Sequence, residues 1–231
     1  MLPAGANALC HRLHSPRRLQ MASCIATPAA LSTQLPTRAA TAVRHLSDDI
    51  AYVLFPEQQI HARVQQLGRQ LAHDYADRAP LVLGVLTGAF QVCGDLVRSM
   101  DPCPRGTTVN FVRASSYGSG TESSGKVAIK MDMDSKLIKG RHVVLVEDIV
   151  DTGMTLTRLK AHLTENCEAA SVAIVALLDK RERRKVELEA DYVGFQCPNE
   201  FVVGYGLDFD EEYRTLPYIG VLKPECYAHK L

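Results

Sequence analysis

The chain has 231 residues with 26 basic and 26 acidic side chains, so it carries no formal net charge. That length suits one α/β domain with a short extension, and a hydrophobic content of 46% is enough for a buried core. No run of 18 apolar residues occurs, which excludes a transmembrane helix, and the absence of net charge argues against bulk binding of nucleic acid.

The N-terminal segment differs in composition from the rest of the chain. Residues 1–47 hold five arginines and no acidic residue, whereas the remainder has 21 basic and 26 acidic residues. An Arg-rich, Ser-containing, acid-free segment predicts an organellar transit peptide, although a disordered tail or an extension upstream of Met21 has the same composition. We therefore predict a leader over 1–47 and one domain over 48–231, located in the cytoplasm or in a chloroplast or mitochondrion. The C-terminal tripeptide HKL resembles the peroxisomal address S-K-L only weakly.

Downstream of the leader, the apolar pattern predicts helices alternating with strands. Ile60, Val64, Leu67, Leu71 and Tyr75 recur at spacings of three and four, which is one face of a helix. The other predicted elements are, in order, a strand over 81–86, a helix over 89–100, a strand over 107–113, a loop over 115–126, strands over 126–133 and 142–146, a helix over 155–166, and strands over 171–178, 192–197 and 201–205. This alternation is typical of βαβ units, so we predict an α/β fold with a parallel sheet.

Polar or glycine-rich residues follow three of the predicted strands directly. They are Thr87-Gly88, residues 147–155 and Asp179-Lys180. Ligands of parallel sheets bind outside the carboxyl ends of the strands. The sequence therefore predicts a binding site built from these segments.

Residues 143–156, VVLVEDIVDTGMTL, are the strongest indication of function. A buried strand brings Glu147, Asp148 and then Asp151 to its carboxyl edge, and a turn with two hydroxyl groups and a glycine leads into a helix. The amides at such a helix start bind phosphate, and a glycine lets the backbone approach the anion closely. Three acids beside a phosphate site favour a cation or ribose hydroxyls between them, since an ordinary capped helix needs no such acids.

This segment is identified as the phosphoribosyl-pyrophosphate (PRPP) motif of type I phosphoribosyltransferases. The chain resembles the hypoxanthine-guanine branch of that family, in particular its plant and algal members, over about residues 50–227. The further blocks that carry the resemblance are GVLTGAF (84–90), ASSYGSG (114–120), LLDK (177–180), FVVGYGLD (201–208), YR (213–214) and LPYIG (216–220). It implies a central, mostly parallel sheet flanked by helices, with a small hood built from N- and C-terminal segments.

The resemblance also implies an activity in purine salvage. The 5-phosphoribosyl group of PRPP passes to hypoxanthine or guanine, which gives IMP or GMP and pyrophosphate, with Mg²⁺ as cofactor. Asp151 is expected to act as the general base at purine N7. Glu147 and Asp148 would hold the ribose hydroxyls and one Mg²⁺, and Asp208 would bind a second. The residues expected to wrap the 5′-phosphate are Asp151, Thr152, Gly153, Met154 and Thr155.

The remaining expected contacts involve pyrophosphate and the base. Leu86, Thr87 and Gly88 would form the pyrophosphate loop, with a non-proline cis peptide bond, and Arg214 would reach the pyrophosphate. Lys180 would donate to the purine 6-oxo group, and because it is only a donor it favours 6-oxopurines over adenine. Phe201 would stack on the base and Val202 would meet it through the backbone. Ser116 and Tyr117 belong to the loop over 115–126, which would close as a lid and exclude water.

The chain departs from the family pattern at a few positions. The pyrophosphate loop reads Thr87-Gly88-Ala89, where many relatives have Lys-Gly-Gly or Arg-Gly-Ser. Met154 stands where some relatives have Lys. Loss of the cation from the pyrophosphate loop is expected to alter pyrophosphate affinity or subunit contacts. Lys180 does not distinguish hypoxanthine, guanine and xanthine. The expected partners are PRPP and the base, with a homodimer or homotetramer implied by the resemblance and no nucleic acid or membrane.

Three other functions fit the sequence less well. Gly120, Gly125 and Lys126 match G-x-x-x-x-G-K, but Val127 stands where a nucleotide-binding P-loop needs Ser or Thr. A regulator that senses PRPP would need a nucleic-acid-binding element. Beyond Lys180, the run KRERRK at 180–185 instead predicts a solvated turn or part of an oligomer surface. A transferase for adenine, orotate or uracil is disfavoured by Lys180.

Seven cysteines without a C-x-x-C pair argue against a zinc site and a disulfide framework, and favour a reducing compartment.

Overall fold

A computed structural model of the protein describes residues 45–116, 127–131 and 134–228. Within these residues the strands and helices are, in chain order, β1 (Ile50–Phe55), α1 (Glu57–Asp74), β2 (Leu81–Leu86), α2 (Phe90–Arg98), β3 (Thr108–Ser116), β4 (Val127–Met131), β5 (His142–Val150), α3 (Met154–Ala161), β6 (Ser171–Asp179), β7 (Tyr192–Gln196), β8 (Val202–Val203), β9 (Ile219–Leu222) and α4 (Pro224–Tyr227). The predicted alternation of strands and helices is confirmed.

The larger of two sheets has the strand order β4-β3-β2-β5-β6-β7. Neighbouring strands in the series β3, β2, β5, β6 and β7 are parallel, whereas β4 is antiparallel to its neighbour β3. The central strands β2 and β5 are apolar on both faces because helices cover both sides of a parallel sheet. The predicted mostly parallel sheet flanked by helices is confirmed.

The core lies in two layers, one on each face of the sheet. Along β5, Val144 and Val146 face α1 and α2, while Val143 and Leu145 face α3. The five residues Ile60, Val64, Leu67, Leu71 and Tyr75 that predicted a helical face are all buried in the first layer. The alternation along β5 follows from the period of two of a strand.

A second, three-stranded sheet forms the hood, with the order β1-β9-β8 and antiparallel pairing throughout. Ile50 pairs with Leu222 and Val202 pairs with Val221. The expected hood from N- and C-terminal segments is therefore present. No strand was predicted over β1 or β9. β1 reads IAYVLF and β9 reads IGVL, so neither shows the alternation of apolar and polar residues that marks a half-buried strand.

Several boundaries differ from the predicted ones. β5 continues four residues beyond the predicted end at 146, since Ile149 and Val150 pair with Leu178 and Asp179 of β6. Ser115 and Ser116 belong to β3 and not to the predicted loop, because they pair with β4. The predicted helix over 155–166 is divided into α3 and a π-helical turn, His162–Asn166. The strand predicted over 201–205 is limited to two residues, β8. The rest of the predicted lid loop, residues 117–126, lies outside the described residues.

Residues Arg44–Leu231 form one compact unit. The leader predicted over 1–47 lies outside the described residues except for its last three, of which two open a short 3₁₀ helix, Leu46–Asp49. None of the described helices is long and apolar enough to cross a bilayer. Cys93, Cys167 and Cys197 are free and buried as predicted, and burial raises the pKa of the Cys93 thiol to about 11.

Leu145→Ala tests the central position of β5. Leu145 is fully buried, so truncation leaves a cavity and should lower the free energy of unfolding by about 3 kcal/mol. The matched control is Leu137→Ala, whose side chain is 58% exposed and which should change stability little. Denaturant unfolding followed by circular dichroism measures both, because the chain has no tryptophan. Equal losses for the two variants would contradict this description of the core.

Candidate active site

Two adjoining cavities lie at the carboxyl ends of the central strands, where the sequence predicted the site. The first, which we call the loop cavity, has a volume of about 280 Å³. The second, the hood cavity, has a volume of about 510 Å³ and lies against the hood. Four residues line both cavities: Asp148, Ile149, Asp151 and Asp208.

Glu147 and Asp148 are strand residues of β5 that face the loop cavity. Burial raises the pKa of the Glu147 carboxyl well above its usual value, and the neighbouring charge of Asp148 raises it further. Burial also raises the pKa of Asp148, although the backbone N–H of Ile149, which donates to Asp148 Oδ1 at 2.8 Å, opposes that shift. The two acids therefore form a pair that is costly to ionise without a compensating partner.

The acid pair fits a divalent cation. Glu147 Oε2 is buried and has no hydrogen-bond partner among the described residues, which is an unsatisfied acceptor. Asp208 is already engaged, because its Oδ2 accepts the N–H of Glu211 at 3.0 Å and its Oδ1 lies 3.0 Å from Arg214 Nη2. No group of three His, Cys, Asp or Glu side chains among the described residues could enclose a metal. The two carboxylates of the acid pair suit Mg²⁺, which keeps several waters and takes ligands from phosphates as well as from one or two carboxylates.

The loop after β2, residues 86–88, packs directly against Asp148. A Cβ atom at Gly88 would lie 1.7 Å from Asp148 Oδ2, so only glycine fits there. The expected non-proline cis peptide bond is present between Leu86 and Thr87. On its other side the Gly88 carbonyl closely approaches Gly206, which has a φ of +101°. Glycines at two positions thus let this loop pack against both the acid pair and residues 204–218 between β8 and β9, which we call the hood segment.

The turn after β5 leads into α3 through Gly153, which has a φ of +80° and is the N-cap of the helix. Thr152, Gly153 and Thr155 line the loop cavity, and the amides at the start of α3 carry the positive end of the helix dipole. Met154 has an exposed side chain, so any contribution it makes to this site comes from its backbone N–H. The turn can therefore bind an anion with its amides and hydroxyls.

Arg214 also lines the loop cavity and is held in place by the hood. Its Nη1 donates to the Gly206 carbonyl at 2.9 Å, and its Nη2 contacts Asp208 and Glu211. Its Nε is buried and has no hydrogen-bond partner among the described residues. That N–H is a charged donor available to an anion in the cavity.

Asp151 lies at the boundary between the cavities. Its Oδ1 is 2.9 Å from Arg183 Nε, an ion pair that lacks the angle of a hydrogen bond. The basic run at 180–185, which the sequence analysis read as a solvated turn, therefore contributes Arg183 to the hood cavity. Asp151 is placed where it can accept a proton from a ligand in the hood cavity.

The hood cavity contains the residues expected around the base. Lys180 is buried and its Nζ donates to the Glu200 carbonyl at 2.8 Å. Phe201 and Val202 line the same cavity, and the Phe201 ring is stacked on Tyr227 with centroids 4.6 Å apart. Phe201 is partly exposed and lines this cavity together with Lys180, so a flat ligand bound there can meet both side chains.

The structure adds residues that the sequence analysis did not assign to the site. They are Arg183, Asn199, Glu200, Leu207 and Tyr227 in the hood cavity. Tyr227 follows the last recognised block and carries no local pattern, so only its stacking on Phe201 brings it there. Of the expected residues, Tyr117 lies outside the described residues, and Ser116 ends β3 with its side chain outside the described part.

Comparisons with known proteins show which family the chain is similar to. A family model described as a phosphoribosyl transferase domain matches residues 54–210. The hypoxanthine-guanine phosphoribosyltransferase of Streptococcus pneumoniae is 50% identical over 184 residues, which are 80% of this chain and 99% of that protein. A crystal structure of a hypoxanthine phosphoribosyltransferase from Staphylococcus aureus has a TM-score of 0.70 and 42% identity, covering 78% of this chain and 96% of that one.

A longer protein also contains a matching segment. The bifunctional protein TilS/HprT of Listeria monocytogenes is 49% identical over 183 residues, which are 79% of this chain. The chain spans 28% of the length of that relative. The likeness therefore concerns one part of the Listeria protein.

Gly88→Ala tests the close approach of the loop to Asp148. The added methyl group cannot fit at 1.7 Å from the carboxylate, so the loop or the acid must move and affinity for PRPP with Mg²⁺ should fall by about a hundredfold. The control is Gly94→Ala on α2, where no atom lies within 4 Å of the new Cβ and the helix should gain stability. Titration calorimetry measures both, and equal affinities would contradict the packing described.

Glu147→Gln tests the cost of the buried acid pair. The folded-state pKa of Glu147 is raised, so the folded protein binds the proton more tightly than the unfolded chain and loses stability as pH rises above about 4.3. Glutamine does not ionise, so the variant should be more stable than the unmodified protein near neutral pH. Below about pH 4 the two should converge.

Thermal unfolding across this pH range provides the measurement. The exposed Glu165→Gln is the control and should show no such dependence on pH. A Glu147→Gln protein less stable than the unmodified one near neutral pH would show that the carboxylate is stabilised in the fold, contrary to its described burial.

Proposed function

Because the chain belongs to the phosphoribosyltransferase family, in its hypoxanthine-guanine branch, we propose that it transfers the 5-phosphoribosyl group of PRPP to hypoxanthine or guanine in purine salvage. The products are IMP or GMP and pyrophosphate. The observation that carries this proposal is the position of Asp151 between two adjoining cavities. One cavity suits an anionic sugar phosphate and the other suits a flat base, and a transfer between them needs a proton acceptor at their boundary.

In the loop cavity the sugar phosphate would meet donors at one end and acids at the other. The amides and hydroxyls of residues 151–155 would hold the 5′-phosphate, and Glu147 and Asp148 would accept hydrogen bonds from the ribose hydroxyls. The pyrophosphate would lie against the backbone of residues 86–88 with Arg214 donating to it.

In the hood cavity the base would lie against Phe201 with its 6-oxo group toward Lys180. Lys180 Nζ would release the Glu200 carbonyl and donate to the 6-oxo group instead. The 6-amino group of adenine could not take the place of the oxo group, because it is itself a donor. As the base nitrogen N9 bonds to C1 of the ribose and the C1–O bond to pyrophosphate breaks, the base loses its N7 proton to Asp151. Arg183 Nε pairs with Asp151 Oδ1, and the second oxygen of the carboxylate would accept this proton.

Mg²⁺ would be held by Glu147 and Asp148 through the ribose hydroxyls and, at a second position, by Asp208. When bound, it supplies positive charge to the leaving pyrophosphate. The unpartnered Glu147 Oε2 supports this assignment. Arg214 adds charge at the same end of the cavity, so the leaving group meets fixed donors before bond cleavage.

We place the whole activity in residues 48–231, which agrees with the compact unit Arg44–Leu231 and the family match over 54–210. A homodimer or homotetramer is proposed on the resemblance alone. The organellar destination of residues 1–47 and the likeness to plant and algal members are separate proposals, supported only by composition and resemblance.

A product assay on the full chain with Mg²⁺ and PRPP tests the activity. Hypoxanthine, guanine, xanthine and adenine are offered separately, and nucleotide is expected from hypoxanthine and guanine but not from adenine. Asp151→Asn should lower kcat by about a hundredfold, because it removes the proton acceptor while keeping the shape of the side chain. The exposed Asp77→Asn is the control and should leave kcat unchanged.

Two outcomes would contradict the proposal. If PRPP binds but no base gives nucleotide, the chain is a PRPP sensor and not a transferase. If Asp151→Asn retains full kcat while the unmodified enzyme is active, Asp151 is not the general base.

A further inference from the structure

The segment that follows β6 holds the backbone of the turn that follows β5. The Lys180 N–H donates to the Val150 carbonyl at 3.0 Å, and the Lys185 N–H donates to the Thr152 carbonyl at 3.0 Å. Between them, Arg184 Nε donates to the Asp151 carbonyl at 3.2 Å. Three successive carbonyls before Gly153 are therefore bound by residues 180–185, and the middle one is bound by a side chain.

Arg184 is in turn anchored to a buried carboxylate. Asp179, the last residue of β6, is 2% exposed, and its Oδ1 accepts from Arg184 Nη2. Arg184 Nη1 donates to the Leu188 carbonyl, and Arg184 Nη2 also reaches the Val150 carbonyl at 3.5 Å. The guanidinium is planar and carries its donors in a fixed fork, so these contacts leave it one orientation.

The stem of Arg184 also packs against the turn. A Cβ atom at Gly153 would lie 2.9 Å from Arg184 Cδ and 2.9 Å from Val186 Cγ2. Arg184 thus meets the turn through a hydrogen bond to its backbone and through direct packing. Arg184 is not among the described residues that line the loop and hood cavities. Its effect on a ligand in the loop cavity therefore passes through the turn that it contacts.

We propose that Arg184, oriented by Asp179, is a positioning residue for PRPP: it fixes residues 151–153 in the geometry that receives the 5′-phosphate and carries Asp151 to the boundary of the cavities. The inference rests on the proposed function, since it assigns a role to a residue outside the proposed site. Removing the guanidinium fork leaves the Asp151 carbonyl without its donor. The turn then moves, and a displacement of about 1 Å is enough to weaken its contacts with PRPP.

Arg184→Lys is the test variant, made in the full chain. Lysine keeps the positive charge beside Asp179, so the buried carboxylate stays paired, but a single ammonium cannot reproduce the fork. The Kd and KM for PRPP should rise by about tenfold, with KM for hypoxanthine changing by less than about twofold. Titration calorimetry and steady-state kinetics measure these values, and thermal unfolding followed by circular dichroism measures stability.

Arg181→Lys is the matched control. Arg181 Nε pairs with the same Asp179 carboxylate at 3.0 Å and its other described contact is Glu189, so it shares the anchor without touching the turn. Its Kd for PRPP should stay within about twofold of the unmodified protein. Asp179→Asn should reproduce the effect of Arg184→Lys, and the double variant should lose little more than either single one, because both act through one contact.

The outcomes separate this inference from the proposed function. A protein with normal turnover whose Arg184→Lys variant binds PRPP normally would overturn the positioning role and leave the proposed function intact. Failure of the unmodified chain to bind PRPP would overturn the proposed function itself. If Arg184→Lys and a second variant, Arg184→Gln, lose PRPP and hypoxanthine binding only in proportion to their unfolded fraction, Arg184 serves stability alone and the inference is wrong.

Discussion

The pairing of β5 with β6 continues to Val150 and Asp179, the last residues of the two strands, and the site depends on that full length. It keeps residues 147–150 extended, so that Glu147 and Asp148 reach the loop cavity from a rigid strand. It also aligns the end of β5 with the end of β6, which brings the turn at Asp151 beside Lys180. The two cavities adjoin because these two strand ends adjoin.

This arrangement carries an electrostatic cost. Burial raises the pKa values of Glu147 and Asp148, and Glu147 Oε2 has no partner among the described residues. A fold selected only for stability would not keep such a pair, because an unpaired buried carboxylate destabilises the folded state. The proposed ligands, ribose hydroxyls and a cation, would supply the partners that the pair lacks. The acid pair therefore destabilises the protein alone but favours binding of these ligands.

The hood completes the site, and two tyrosine side chains hold the segment between β8 and β9 that carries Asp208 and Arg214. The Tyr205 hydroxyl donates to Asp95 Oδ2 of α2 at 2.6 Å, which links the hood segment to the helix that follows the loop at 86–88. The Tyr213 hydroxyl donates to Asp49 Oδ2 at 2.8 Å, which links the residue before Arg214 to the start of β1. Asp208 and Arg214 thus reach the loop cavity from a segment that is held at both ends.

The sequence by itself determined the α/β class, the parallel sheet and the strand ends at which the cavities lie, because apolar periods and the turn around Gly153 are local properties of the chain. The residues expected around each ligand came from the resemblance of ordered motifs to a family. Only the tertiary structure decided that β1 and β9 pair, that β5 extends to Val150, and that Tyr227 and Arg183 enter the hood cavity. It alone also placed Arg184 behind the turn. These features join residues distant in the chain, and their hydrogen bonds and close packing leave no periodic pattern in the sequence.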